Sequence, residues 1–517
     1  MTITAPSEAC SSILFPEPAP LPVERDAPAC FADLNLHRIV ARIAAGPWAE
    51  YGLPRLYHDA PTDRRVIDFR QAVMRDTERA DVRHALLQFS ERMRAVRRQL
   101  ALHDESDYPL EAARFFLGAV EAYVDAVGTL HRALALLPLD SAGLQRWREA
   151  LAVYAESAAF RGLAAECAAT AEGLARVTYI ILLDGLQVTV LPYDGLPNYA
   201  IEIERLFARF RGEATTDAPS TPFDAGRLNR VEAQILDRVA RLAPAPFDAL
   251  IAFVAAHPDF QDPRITRFDG EVPYYLAYGE AIAPLRQHGL SFAYPVVSAA
   301  DKTLELEGAF DLALAWELRE RALPIVTTDV ALAGRERLMV VSGPNSGGKT
   351  TFARMIGQVH YLARLGFPVP GRMARCFIVD RILTHFERVE DLRRGHGKLQ
   401  DDLLRIRRIL DDATPASLVV MNEIFASTTV HDALYLARRI LRDLSARDLL
   451  AVCVTFLDEL STFDDKTVSF VAGVEPTNPS IRTFRMERRL ADGRAYALAV
   501  AAKHRVTREW LLRRLPA

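Results

Sequence analysis

The sequence predicts an α+β chain of several domains: a long helical region, then a C-terminal α/β domain organised around a glycine-rich loop. Three observations carry this. Stretches rich in Ala, Leu, Arg and Glu, all strong helix formers, run from about residue 31 to about 289. Beyond about residue 290, short apolar runs alternate with helical segments, the pattern of a mostly parallel sheet with crossover helices. Between one such run and one such helix stands Gly343-Pro344-Asn345-Ser346-Gly347-Gly348-Lys349-Thr350, which fits G-x-x-x-x-G-K-[ST].

Residues 1–30 hold Pro6, Pro16, Pro18, Pro20, Pro22 and Pro28, a density that forbids helix and predicts an extended arm. DLNLHRIVARIAAG then reads as a helix capped by Asp33 and ended at Gly46. Longer amphipathic helices follow over about 62–103, 108–136 and 141–175. VTYIILLDGLQVTVLPYDG, 177–195, is β-branched with Asp184-Gly185 between apolar runs, a hairpin signal. A polar loop covers 212–226 and helix returns over 227–256, so a small β insertion at about 177–226 interrupts the helices. In the C-terminal part, strands are expected at 336–342, 416–421, 449–456 and 467–474, and helices at 350–364, 398–412 and 430–446. Three divisions result: an arm over 1–30, a helical region over 31–289 and an α/β domain over 290–517.

Bulk composition narrows the function classes. The chain has 517 residues, half of them hydrophobic and a quarter charged, enough for two to four packed domains. A formal net charge of -4 gives no global basic field of the kind nucleic-acid binders display. The cysteines are Cys10, Cys30, Cys167, Cys376 and Cys453; an odd count without C-x-x-C spacing points to neither a disulfide framework nor a zinc site. The N-terminus lacks a secretory pattern, and no apolar run approaches the ~20 residues a membrane span needs. A cytoplasmic protein with no membrane partner is expected.

The glycines of the loop let backbone N–H groups turn inward around phosphates, and the following helix presents its positive end to them. Lys349 is suited to the β- and γ-phosphates, and the Thr350 hydroxyl to Mg²⁺. In ASLVVMNEIF, 416–425, an apolar strand ends in Asn422-Glu423, where P-loop ATPases place acidic residues. Glu423 fits the residue that orients the attacking water. Asn422 stands at the metal side, with an acceptor oxygen but no charge.

GPNSGGKTT, 343–351, resembles the phosphate loop of the MutS mismatch-repair family, usually written GPNMGGKST. The resemblance continues through FIVDRILTHF (377–386), DDATPASLVVMNEIFASTTVHDA (411–433), VTFLDELS (454–461) and DGRAYALAVAAKHRVTREWLLRRL (492–515). It covers about 290–515, and Pro344-Asn345, Thr428 and Asp432 are not general features of phosphate loops. It implies an ABC-type ATPase domain binding ATP and Mg²⁺, with Gly343 to Thr351 on the nucleotide, Thr350 and Asn422 on the metal, and Lys349 and Glu423 in catalysis. It also implies a homodimer through the ATPase domain, and DNA as a partner in repair or recombination. Upstream, FADLNLHRIV and the helices to about 176 resemble the family's helical core and lever, with the 177–226 insertion in place of its clamp. The family's mismatch-reading and connector domains are expected before the core, where only about 30 proline-rich residues stand. Phe15-Pro16-Glu17 matches the family's Phe-x-Glu wedge as a tripeptide, but without a domain to hold it the match reads as coincidence.

Three positions depart from the family. Its signature Ser aligns with Gly397, beside Lys398; its switch His aligns with Phe456; its metal-side Asp aligns with Asn422. Each change removes a charge or a hydrogen-bonding group, and one such group is worth on the order of 10²–10³ in rate. Slow ATP hydrolysis is therefore the expected activity. The alternative is an ATP-gated protein-interaction module with little hydrolysis and no DNA binding. His396 and His431 flank the site, but a structural role is the plainer reading of each. Arg92, Arg94, Arg97 and Arg98 read as a solvated helix face balanced by Glu91 and Glu78.

Overall fold

The computed structural model describes residues 12–491 and 506–514, other than 24, 186, 194, 196–227, 388–396, 426–427, 476 and 479–480. Packing divides the chain into two units, one of 84–138 with 147–269, the other of 1–83, 139–146 and 270–517. The linear division at 30/31 and 289/290 rests on composition and pattern along the sequence and these units on packing; the second unit gathers segments from all three stretches.

In the unit 84–138 with 147–269, helices dominate because the sequence supplies both good formers and punctuation. Pro109 and Pro244 open the helices Pro109–Leu136 and Pro244–Ala256, where a missing N–H costs nothing. Asn229 and Glu232 form a capping box at the start of Arg230–Leu242. The hairpin pairs β1 (Tyr179–Asp184) with β2 (Gln187–Pro192), and Gly185 takes φ +57° in its turn. Trp147 stacks on Phe268 with ring centroids 4.0 Å apart, and the Tyr123 hydroxyl lies 2.9 Å from that of Tyr154. Of the arginines expected to be balanced by Glu91 and Glu78, two reach other carboxylates: Arg92 pairs with Asp125 and Arg97 with Asp269. Long side chains reach carboxylates remote in sequence as readily as those one turn away, so sequence spacing missed these two pairs.

The other unit begins with the arm. Among its described residues it holds no helix or strand from Ser12 to Ala29, as its prolines dictate, yet Ser12, Ile13 and Leu14 are buried. Glu271 accepts from Ser12 Oγ (2.9 Å) and Ile13 N (2.8 Å), and Arg70 donates to the Leu14 carbonyl (3.0 Å). Phe15 lies under the Arg70 guanidinium and Glu17 pairs with Arg65, so this tripeptide is occupied by packing. The helix expected from Asp33 to Gly46 is broken. Cys30–Asp33 stops, Asn35 turns left-handed at φ +57°, and Leu36–Ile43 starts anew. Asparagine tolerates that conformation better than most residues. Asp33 does not cap the helix; its carboxylate accepts from Thr384 Oγ1 (2.7 Å).

Two small sheets accompany the large one, with two of their strands falling between strands of the large sheet in the chain. β3 (Phe292–Ala293) pairs with β8 (Val369–Pro370); β4 (Val296–Ser298), β9 (Met373–Phe377), β5 (Leu304–Ala309) and β6 (Thr328–Leu332) form the other in that order. The large sheet is built of β7 (Leu338–Ser342), β10 (Ile382–His385), β11 (Leu418–Asn422), β12 (Leu450–Val454), β13 (Thr467–Val474) and β14 (Arg482–Arg488). Its order is β10-β11-β12-β7-β13-β14, parallel until β14 joins antiparallel. Every residue of β7, β11 and β12 is buried, which is why these strands read as unbroken apolar runs. The helices Lys398–Asp412 and Val430–Ala446 bury Ile406, Ile409, Ala437, Ile440 and Leu444 in one cluster with Val340, Val419 and Cys453. Because β10, β11, β12, β7 and β13 run the same way, their C-terminal ends gather His385, Asn422, Val454, Ser342 and Val474 on one edge. In sheets of this kind ligands bind along that edge. The described cysteines are all free and buried, and among the described residues no single helix is long and apolar enough to cross a membrane.

Asp448, left-handed at φ +56°, is held by Lys466 Nζ (3.0 Å), Lys302 Nζ (3.2 Å) and Arg337 Nε (3.2 Å). Burial pulls its pKa up, but the hydrogen bonds from Lys466 and Lys302 and the Arg337 charge outweigh that and hold it at about 2. A carboxyl depressed on folding stabilises above its unfolded pKa and loses that contribution as pH falls through its folded one. The parent is thus expected to be more stable than Asp448→Asn at pH 6, by roughly 1 kcal/mol after solvent screening. That gap should close between about pH 4 and pH 2; thermal melts across this range check it.

Candidate functional site

β7 is followed by a turn that depends on glycine at three of its positions. Gly343 takes φ +110°, and a Cβ there would lie 2.9 Å from the Ala472 nitrogen on β13. Gly347 would set a Cβ 2.9 Å from both the Ala472 Cβ and the Pro344 carbonyl oxygen. Gly348, at φ +94°, precedes the helix Lys349–Leu365. Ser346 is left-handed without being glycine, at φ +59°. The turn therefore lies flat on β13 with its backbone curled at a helix N-terminus, a geometry suited to an anion.

Lys349 is buried and folds back over the turn. Its Nζ donates to the carbonyls of Gly343 (2.8 Å) and Pro344 (3.2 Å) and to Asn345 Oδ1 (3.3 Å). Burial pushes its ammonium below the usual lysine range, against the upward pull of Glu423, while Arg482 pushes it further down and Asp458 back up. Arg482 also donates from Nε to the Asn345 carbonyl (3.3 Å), a cation at the turn that sequence reasoning missed.

Thr350 and Asn422 are 72 residues apart in sequence, yet Thr350 Oγ1 donates to Asn422 Oδ1 at 2.9 Å. The parallel pairing of β11, β12 and β7 brings them together at the same sheet edge. Glu423 follows at φ +55°, its N–H donating to the Val454 carbonyl (2.9 Å), and buried Phe425 is also left-handed at φ +61°. Two non-glycine residues in that region within three positions store roughly 1–3 kcal/mol each, strain that concentrates at functional sites.

Several of these groups line one cavity of about 630 Å³. Asn345, Ser346, Gly347, Gly348, Lys349, Thr350, Thr351 and Glu423 form its polar end. Leu314, Leu318, Leu323, Ile325, Val326 and Met486 are among the residues of its apolar side. Of the expected site residues, Gly343, Pro344 and Asn422 stand behind this lining and position it. The apolar side was not foreseen, because ordinary leucines and isoleucines on a helix, a loop and an edge strand carry no motif.

The three departing positions lie in different surroundings. Gly397 is exposed just before the helix Lys398–Asp412, and Lys398 pairs with Glu387. Phe456 is 47% exposed. His431 is exposed in the first turn of Val430–Ala446; His396 and residues 492–505 lie outside the described residues.

A hydroxyl and an amide oxygen at 2.9 Å form a hard-oxygen pair of the type Mg²⁺ accepts, directly or through water. No group of three or more His, Cys, Asp or Glu that could hold a metal occurs among the described residues. A cation here would therefore depend on oxygens of the ligand, as Mg²⁺ does with substrate phosphates.

Comparison with known proteins bears on the same segment. The family described as MutS domain V matches residues 339–511. The chain is 32% identical over 182 residues to the DNA mismatch repair protein MutS of Synechococcus sp.. That match takes in 34% of this chain and spans a fifth, 20%, of the relative's length.

Proposed function

We propose that this chain, a MutS-family protein by its residues 339–511, binds ATP in the cavity at the end of β7 and hydrolyses it slowly. The observation that supports this best is the convergence of Lys349, Glu423 and Thr350, the last hydrogen-bonded to Asn422 behind it, on one cavity with an apolar far side. A nucleoside triphosphate has that polarity: phosphates for the curled turn and a flat base for the leucines. The N–H groups of the turn and Lys349 would take the β- and γ-phosphates. Thr350 and Asn422 would hold Mg²⁺, which when bound neutralises charge on the phosphate oxygens. Glu423 would accept a hydrogen bond from the attacking water and orient it. The domain order, a helical core over 31–289 before the ATPase domain over 290–517, belongs to the same proposal, as do a homodimer through the ATPase faces and a cytoplasmic location.

DNA is the partner in this reading, in mismatched or branched form. A second reading is favoured by one observation: the unit 84–138 with 147–269 carries 18 Arg and no Lys against 24 Asp and Glu, a net charge of -6. DNA binders concentrate positive charge where they touch phosphates, so an ATP-gated protein-interaction module is the rival. Gel shifts with linear, mismatched and branched DNA, with and without ATP, separate the two. ATP-dependent retention of a mismatched or branched duplex supports the first, and no shift at low salt supports the second.

Asn422 supplies a prediction within the site. It is buried and its Oδ1 is already engaged by Thr350. Asn422→Asp keeps that acceptor and adds the missing charge beside the proposed metal. It should raise kcat, by less than the ~10²-fold one fully positioned group supplies, because Gly397 and Phe456 remain. Half-maximal rate should need less Mg²⁺, with ATP affinity little changed. An unchanged or lower kcat in a folded variant would count for the interaction module.

A further inference from the structure

The apolar side of the cavity is carried by the helix Leu312–Glu320 and the strand and loop after it, while the polar end is the start of Lys349–Leu365. One buried amide ties the two helices together. Gln358, with no exposed surface, accepts at Oε1 from Leu312 N (2.9 Å) and donates from Nε2 to Asp311 Oδ1 (2.9 Å) and to the Leu34 carbonyl (2.9 Å). Asp311 is the N-cap of Leu312–Glu320, its Oδ1 accepting from Leu314 N at 3.0 Å. Burial pulls its carboxyl above the usual range, and the bonds from Leu314 and Gln358 pull it back. A half-satisfied buried network is costly, so each of these bonds depends on the others.

The third partner of Gln358 is fixed as well. A Cβ on Gly357 would lie 2.6 Å from Leu34, so that glycine lets Leu34 sit against the helix backbone. Arg354, one turn earlier, donates to the Asp33 carbonyl at 2.9 Å. Gln358 is therefore held from behind while it holds the cap of the facing helix. Nine residues separate it from Lys349, about 13 Å along the helix, so it is remote from the phosphate end.

We propose that Gln358 and Asp311 are positioning residues that set the width of the cavity's apolar end and so the grip on the nucleoside part of a triphosphate. This rests on the nucleotide reading above. Gln358 touches no phosphate-binding group, and its effect should be confined to one half of the ligand. A residue serving only general stability would not divide the two halves.

The test compares ATP with inorganic tripolyphosphate, each with Mg²⁺, by titration calorimetry on the full chain. In Gln358→Leu, ATP affinity should fall about tenfold or more while tripolyphosphate affinity stays within about twofold. Asp311→Ala should repeat this split with Gln358 left in place, and so serves if Gln358→Leu does not fold. Asp311→Asn, which retains an acceptor for Leu314 N and Gln358, should bind ATP nearly as the parent does. Parent-like ATP binding by folded Gln358→Leu and Asp311→Ala would overturn the proposal, and so would equal weakening of both ligands. A parent that binds neither ligand would overturn the nucleotide reading beneath it.

Discussion

Lys349→Ala should weaken ATP binding by at least about a hundredfold while the fold persists. The ammonium is buried beneath the turn with three oxygen partners, and it is the cation the triphosphate would meet at the helix start. Two effects add. The ligand loses a charge-assisted hydrogen bond worth roughly 1.5–3 kcal/mol. The turn also loses the clamp from Nζ to Gly343 and Pro344 that holds its N–H groups inward. Each 1.4 kcal/mol is about tenfold in affinity, so a loss near 3 kcal/mol gives the stated factor. Stability should change less, because removing the ammonium also removes the cost of burying it. Calorimetric titration with ATP and Mg²⁺, beside thermal melts of both proteins, checks the pair of expectations. Parent-like affinity would show that the nucleotide does not sit on this turn.

Glu423→Gln should act on the other half of the cycle. Its left-handed backbone and its N–H on Val454 hold it on the wall of the cavity that Lys349 and Thr350 also line. Gln preserves shape and hydrogen-bonding reach but cannot accept from water with a full negative charge. Loss of a positioned group of this kind costs on the order of 10²–10³ in kcat. ATP affinity should stay within about threefold, since the phosphate turn is untouched. With hydrolysis slowed, an ATP-dependent dimer that places the Gly397–Lys398 turn over the partner's γ-phosphate should accumulate. Sedimentation with ATP would show this as a shift toward the dimer mass at concentrations where the parent is mostly monomeric. A kcat equal to the parent's would remove Glu423 from the chemistry, and a monomer at every concentration would remove the shared site.

Much of this geometry is legible in the sequence, for identifiable reasons. Runs such as LMVVS, LVVM and LAVCV are apolar without alternation, which only a strand covered on both faces requires; β7, β11 and β12 fall on them. The helices 398–412 and 430–446 begin and end where their periodicity does. The hairpin turn at Asp184-Gly185 announces itself by chemistry alone. What stayed hidden depends on distant partners. Nothing local in DLNLHRIVARI says that Asn35 will turn left-handed and divide the helix; the anchors are Arg354, Gln358 and Thr384, more than 300 residues on. The same holds for Ser12–Leu14, which reads as part of an extended arm and is buried because Glu271, Arg70 and Tyr275 receive its polar atoms. Gln358 looks like one more polar residue on a helix until its three partners are seen.

Amide hydrogen exchange on the full chain, with and without ATP and Mg²⁺, tests the central claim most directly. The site described here predicts slowed exchange in peptides covering 343–352, 422–425 and 312–326, reversed in Lys349→Ala. Unchanged exchange in those peptides at saturating ATP, or protection confined to residues outside them, would contradict it.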